Sequence, residues 1–177
     1  VFFGLGDGCD CRACDVQSDG ERTWFHLNST QGELLEIPVI GNHNVANALA
    51  AIAVATDLGY GMEQIRQGLL QYQGIAMRQQ IHRLPQICVI DDSYNASPDS
   101  AKSGVNVLIG LKSGRRIAVL ADMLELGKES DQAHYDLGRY AAISGVDLVL
   151  AVGEEARRIV QGARDGGIPA EHFENNQ

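Results

Sequence analysis

Apolar positions change their period along this chain, and the changes divide it. Thr23-Trp24-Phe25-His26-Leu27 and Leu34-Leu35-Glu36-Ile37-Pro38-Val39-Ile40 flank the polar stretch Asn28 to Glu33, so residues 1 to 40 predict short antiparallel strands that include a hairpin. From Asn42 the period becomes helical. Val45, Leu49, Ile52 and Thr56 fall on one stripe, Ala48, Ala51, Ala55 and Leu58 on the adjoining one, and Gly59 stands where a C-terminal cap belongs. A second helix from Met62 to about Tyr72 turns Ile65, Leu69 and Leu70 inward, and residues 71 to 80, with Gly74 among them, read as a linker.

Beyond the linker the pattern alternates strand and helix. Ile87-Cys88-Val89-Ile90 ends in Asp91-Asp92, and a helix starts near Pro98 with Asp99 close to its positive end. Strand 116–120, helix 130–144, strand 148–152 and a helix 154–164 closed by Gly166-Gly167 follow. Three apolar strands separated by helices predict a parallel sheet covered on both faces. The polar ending Glu174-Asn175-Asn176-Gln177 offers no further apolar strand.

Composition narrows the function classes. The chain has 177 residues, 45% of them apolar, and its Gly 20 and Pro 4 show no period, which excludes collagen-like, mucin-like and disordered chains. Acidic groups number 23 against 14 basic ones, a net charge of -9, so nucleic acid and anionic membrane surfaces are not expected partners. No stretch approaches the ~20 apolar residues of a membrane span. The start Val1-Phe2-Phe3-Gly4 lacks a Met and a basic flank and is expected to belong to a fragment rather than a signal peptide. Cys9, Cys11, Cys14 and Cys88 read as reduced cysteines on and off a strand or loop, or as part of a zinc site for which no second pair is evident.

Ligands of open parallel sheets gather at the carboxyl ends of the strands. Three loops are expected there: Asp91 to Pro98, Ala121 to Gly127, and Gly153-Glu154-Glu155. Asp91-Asp92 suits a ribose, a magnesium water shell, or simply an Asx turn and helix cap. Asn44 and Asn47, three apart on a helical face, suit the edge of a base, or equally an N-terminal cap and a core amide. His134, in a helix with Asp131, reads as either a satisfied structural residue or a proton carrier. No G-x-x-x-x-G-K-[ST] loop occurs, and Gly4-Leu5-Gly6-Asp7-Gly8 lacks the strand and helix that a dinucleotide fingerprint needs.

Gly41-x-His43-Asn44-x-x-Asn47-Ala48, Arg78, Asp91-Asp92-Ser93-Tyr94-Asn95-Ala96-x-Pro98-x-Ser100, Val119 to Gly127 and His134, taken in order, resemble the Mur ligase family over essentially the whole chain. The resemblance implies an α/β chain in which residues 1–76 are the C-terminal part of a central ATPase domain, a small hairpin and helical part. Residues 77–177 are then a Rossmann-like C-terminal domain, expected to be incomplete, with a parallel sheet and flanking helices. It implies ATP-dependent ligation of D-alanyl-D-alanine to UDP-N-acetylmuramoyl-tripeptide through an acyl phosphate, with ATP and Mg2+, in the cytoplasm. The phosphate loop and modified lysine lie upstream in the family, so the chain alone is expected to be inactive and to hold neither a catalytic residue nor a metal ligand.

By the same resemblance Asn44 and Asn47, with His43 nearby, would face adenine, Arg78 would reach ATP phosphate, and Asp92 would hold the ribose. Tyr94, Asn95, Asp122 and Glu125 would line the substrate side, and Asp91 would shape its turn. Three positions depart from the family pattern: Met77 and Ala121 stand where glycine is usual, and Ser97 where asparagine is. The rival expectation is a noncatalytic Rossmann-type nucleotide- or protein-binding module.

Overall fold

The structure, a computed structural model, describes residues 1–29, 31–111 and 114–175. The chain forms two compact units, Val1–Gly74 and Ile75–Gln177. It is a mixed α/β chain with a parallel sheet flanked by helices.

In the first unit a four-stranded sheet runs in the order β1 (Phe3–Gly4), β2 (Cys11–Ser18), β3 (Thr23–Leu27) and β4 (Leu34–Ile37). The expected hairpin is β3 and β4, antiparallel with Phe25 opposite Leu35. β2 holds Cys11 and Cys14, and its alternation buries Cys11 and Ala13. Burial, with Cys9 nearby, pushes the Cys11 thiol above its ordinary range, so it stays protonated against the Leu49 carbonyl at 3.5 Å. Helix α1 (Asn42–Asp57) lays Val45, Ala48, Leu49 and Ile52 on Phe25, Leu35 and Ile37, and α2 (Met62–Leu70) adds Ile65. The expected stripe ends early: Thr56 and Leu58 are exposed. Gly59, at φ +84°, lets Tyr60 N–H reach back to the Ala55 carbonyl at 3.0 Å and close α1.

In the second unit the stretch read as a linker contains β5 (Gln80–Arg83), which pairs antiparallel with β6 (Cys88–Asp91). β6 therefore belongs to a separate two-stranded ladder and not to the parallel sheet in which sequence placed it. Its two partners are four residues long and largely polar in β5, where no apolar alternation marks a strand. The parallel sheet is instead β7 (Ile117–Ala121), β8 (Leu148–Val152) and β9 (Ala170–Phe173), in that order. β9 corrects the expectation of a strandless ending; a short strand with a single buried residue, Ala170, carries little apolar signal.

Helices α3 (Pro98–Gly110), α4 (Ser130–Ser144) and α5 (Arg157–Asp165) complete the unit. Two right-handed crossovers wound in one direction put α4 and α5 on the same side of the sheet. Ala118, Val149, Ala151 and Ala170 point to that side and are buried with Leu137, Ala141, Ile159 and Ala163. The other face is exposed at Ile117 (40%), Val119 (69%) and Phe173 (43%), so among the described residues helices cover the sheet on one face and not both.

α4 and α5 meet backbone to backbone. A Cβ at Gly138 would overlap the Ile159 carbonyl and lie 2.8 Å from Ala163 N, and one at Gly162 would overlap the Tyr135 carbonyl and lie 3.0 Å from Arg139 N. Gly68 in α2, by contrast, faces open space. Gly138→Ala and Gly162→Ala are therefore expected to destabilise the second unit by about 1–3 kcal/mol or more. Gly68→Ala should stabilise the first by about 0.5–1 kcal/mol, because alanine loses less backbone freedom in a helix. Urea unfolding of the three variants measures both signs.

Candidate functional site

Each unit carries its own share of the expected site residues. In the first, α1 begins at Asn42 after Gly41, whose φ of +100° turns the chain into the helix. Asn44 and Asn47 occupy the first two turns on the face shared by Ala48, Ala51 and Ala55. These residues line one cavity of about 410 Å³ together with Ile37, Val39, Tyr60, Gln64, Gly68 and Tyr72. The volume falls within the ~300–1,000 Å³ of small-molecule clefts, and a mostly apolar wall with two amides at one end matches their chemistry. Asn44 Nδ2 donates to the Ile40 carbonyl at 2.8 Å, which fixes that amide and aims its oxygen elsewhere. Asn44 thus ties the helix start to the chain before it, but Gly41 is the N-cap with no side-chain cap bond and Asn47 is exposed, so neither is a cap or a core amide, and both line the cavity. His43 is half-buried and is not among the lining side chains.

In the second unit the segment of Arg78 comes together with Asp92 and Tyr94, and Asn95 follows Tyr94 in the chain. The Arg78 guanidinium carbon lies 4.4 Å from the centroid of the Tyr94 ring. Tyr94 N–H donates to the Met77 carbonyl at 3.1 Å, and Gln79 N–H donates to Asp92 Oδ1 at 3.2 Å. The second Asp92 oxygen faces Gly104, where a Cβ would stand 3.1 Å away. Sequence reading missed this clasp: Gln79 and Asp92 are thirteen residues apart with no shared motif to join them. Met77 and Gln79 both take positive φ, +58° and +51°, on either side of Arg78. Asp91 holds Ser93 through its hydroxyl at 2.6 Å and its N–H at 3.1 Å, and these bonds, hydroxyl foremost, keep its carboxyl below the usual range.

Of the family departures, Met77 meets a real constraint in its left-handed backbone. Ser97 does not weaken its loop: it caps α3, its Oγ accepting from Ser100 N–H at 3.3 Å while Ser100 Oγ accepts from Ser97 N–H at 2.8 Å. Ala121 ends β7 with a negative φ and fits without strain.

The loop after β7 is held from two directions. Asp122 Oδ1 accepts from Ala156 N–H at 2.7 Å, at the start of α5, and its carboxylate fills the space that a side chain at Gly153 would need. His134, 0% exposed, accepts from Met123 N–H through Nε2 at 2.8 Å, which leaves Nδ1 to donate to the Ser130 carbonyl at 2.7 Å. Both ring nitrogens are therefore used, in one tautomer, and the residue is structural rather than a proton carrier. Glu125 is exposed at φ +65°, and the Asn95 side-chain oxygen accepts from Ala96 N–H at 2.9 Å. Among the described residues no group of three or more His, Cys, Asp and Glu side chains is arranged to hold a metal, the cysteines included.

A family model described as Mur ligase, glutamate ligase domain, matches residues 77–177. The UDP-N-acetylmuramoyl-tripeptide--D-alanyl-D-alanine ligase of Haemophilus influenzae is 34% identical over 94% of this chain and 36% of its own length. That of Bacillus subtilis is 32% identical over 99% of this chain and 37% of its own. The chain spans about a third of the length of these curated relatives. Among solved structures, MurF from Acinetobacter baumannii superimposes with a TM-score of 0.84 at 35% identity, over 97% of this chain and 36% of that one. MurF ligase from Thermotoga maritima in complex with ADP shares the fold, with a TM-score of 0.78 at 21% identity over 97% and 44% of the two chains.

Two substitutions read the backbone constraints of the site. Met77→Gly removes about 1–3 kcal/mol of left-handed strain. Against about 0.5–1 kcal/mol of added unfolded-state entropy, it is expected to raise the midpoint of denaturant unfolding. His134→Leu leaves Met123 N–H buried and unpaired, at a cost of about 1–3 kcal/mol, and should speed hydrogen exchange at that amide.

Proposed function

The chain belongs to the Mur ligase family, and from that premise we propose that it is part of an ATP-dependent ligase joining D-alanyl-D-alanine to UDP-N-acetylmuramoyl-tripeptide. The observation that carries this reading is the 34% identity to a ligase of that name over 94% of the chain, across both units. Residues 1–76 are then the end of the central ATPase domain and residues 77–177 belong to the C-terminal domain. Asn44 and Asn47 contribute their amides to the adenine side, with His43 in the same helical turn. Arg78 supplies a cation to the nucleotide phosphates and Asp92 an acceptor to the ribose. Tyr94, Asn95, Asp122 and Glu125 stand on the substrate side.

The chemistry explains why ATP is needed. A carboxylate is a poor electrophile, so its oxygen first attacks the γ-phosphorus of ATP, giving an acyl phosphate and ADP. The dipeptide amine then attacks the acyl carbon, phosphate leaves, and the amine proton passes to solvent. Positive charge near the migrating phosphoryl group lowers the barrier by offsetting its oxygens, which is the part Arg78 suits. Magnesium would accompany the nucleotide in this reading and would offset the charge of the phosphate oxygens; among the described residues no group of three or more His, Cys, Asp and Glu side chains is arranged to hold it. No helix is long and apolar enough to cross a membrane among the described residues, and we place the reaction in the cytoplasm, where the nucleotide and the UDP-linked precursor are dissolved.

Phosphate release by the full-length enzyme tests the proposal. It is expected only when ATP, the UDP-linked tripeptide and D-alanyl-D-alanine are all present, and the 177-residue chain alone should release none. Asp92→Asn keeps an acceptor for Gln79 N–H but removes the charge, and should raise the KM for ATP by about tenfold. A folded full-length protein that releases no phosphate with all three substrates would favour the noncatalytic binding module.

A further inference from the structure

We propose that Tyr94 is a positioning residue for Arg78, holding the guanidinium ordered and ready for nucleotide phosphate. The inference rests on the reading of Arg78 as the phosphate-side cation. Arginine is a long, flexible side chain, and left in solvent it would lose much rotamer freedom each time it met a phosphate. Here the guanidinium already lies over the Tyr94 ring at 4.4 Å, within the reach of a cation–π contact.

The choice of partner matters. A carboxylate would order Arg78 equally well but would neutralise its charge and take up its N–H fork. A ring face does neither: it attracts the cation through its quadrupole and accepts no conventional hydrogen bond, so the donors stay available to oxygens. Among the described residues no carboxylate pairs with Arg78.

The backbone is fastened to make the pairing persist. Tyr94 N–H donates to the Met77 carbonyl at 3.1 Å on one side of Arg78, and Gln79 N–H donates to Asp92 Oδ1 at 3.2 Å on the other. Gln79 Nε2 adds a bond to Ser103 Oγ at 3.3 Å, reaching α3. The segment that carries the cation and the loop that carries the ring are therefore tied together at both flanks. Tyr94 itself is 59% exposed, so its ring contributes little to the core and can be altered without unfolding the unit.

The test is steady-state kinetics on the full-length ligase with Arg78→Ala, Tyr94→Leu, Tyr94→Phe and the Arg78→Ala/Tyr94→Leu double variant, each checked for an unchanged melting temperature. Tyr94→Leu should raise the KM for ATP by about two- to fivefold and leave the KM for D-alanyl-D-alanine unchanged. Tyr94→Phe, which keeps the ring face, should restore the ATP value, and Tyr94→Leu should add nothing once Arg78 is alanine. A Tyr94→Leu effect on the dipeptide KM alone, a failure of phenylalanine to rescue, or additivity in the double variant would overturn the positioning role while leaving Arg78 at the phosphates. An Arg78→Ala variant with an unchanged ATP KM would overturn that underlying reading, and the positioning role with it.

Discussion

The backbones of α4 and α5 touch at Gly138 and Gly162, and the carboxyl edge of the parallel sheet depends on that contact. The constraint is geometric. Neighbouring strands stand about 4.8 Å apart, so the three strands β7, β8 and β9 span only about 10 Å between their outer axes. Two crossover helices on the same side, each about 10 Å across with side chains, are too wide for that span unless they pack unusually close. Glycine on both surfaces removes the side chains that would otherwise hold them apart, and Gly166, whose Cβ would overlap that of Ala142, extends the same closeness to the end of α5.

The loops after β7 and β8 hang from these two helices. His134 lies one turn before Gly138 in α4, and its two ring nitrogens join Met123 N–H to the Ser130 carbonyl. Ala156 stands just before α5, and its N–H takes Asp122 Oδ1. The loop after β7 is thereby pinned once to each helix, while Ser130 Oγ donates to Glu155 and bridges α4 to the loop after β8. Ala96, in the loop after β6, leans on the core that contains Met123. Asp122 thus owes its place to packing: its acidic group satisfies a backbone donor near a helix start, which is a use of a carboxylate that needs no ligand.

Much of the fold was legible because its signals are local. α1, α2, α4 and β8 lie within a residue or two of where periodicity and end signals put them, and Pro98 starts α3 as its fixed φ and missing N–H dictate. What could not be read depended on distant partners. β5 and β9 are short edge elements with one or no buried residue, and strand pairing supplies their order rather than apolar content. Coverage of the sheet on one face follows from strand order, which no alternation of strand and helix reveals. The site shows the same division. Asn44 and Asn47 could be placed on one face from their spacing, whereas the Gln79 tie to Asp92 and the Arg78 stack on Tyr94 join segments with no sequence pattern in common.

The strain beside Arg78 has a direction of inference. Two residues with side chains at φ +58° and +51° cost about 1–3 kcal/mol each, and such costs persist only where surrounding bonds over-determine the conformation. Those bonds are present, and they run to the Asp92 carboxylate and to the Tyr94 N–H. The resemblance places glycine at position 77, a residue that takes this φ freely. The bonds on either side of Arg78, and not the methionine side chain, hold the left-handed turn at φ +58°. What the turn holds in place is Arg78 against the Tyr94 ring, so the backbone strain, the tie of Gln79 to Asp92 and the ring contact all act on one short segment.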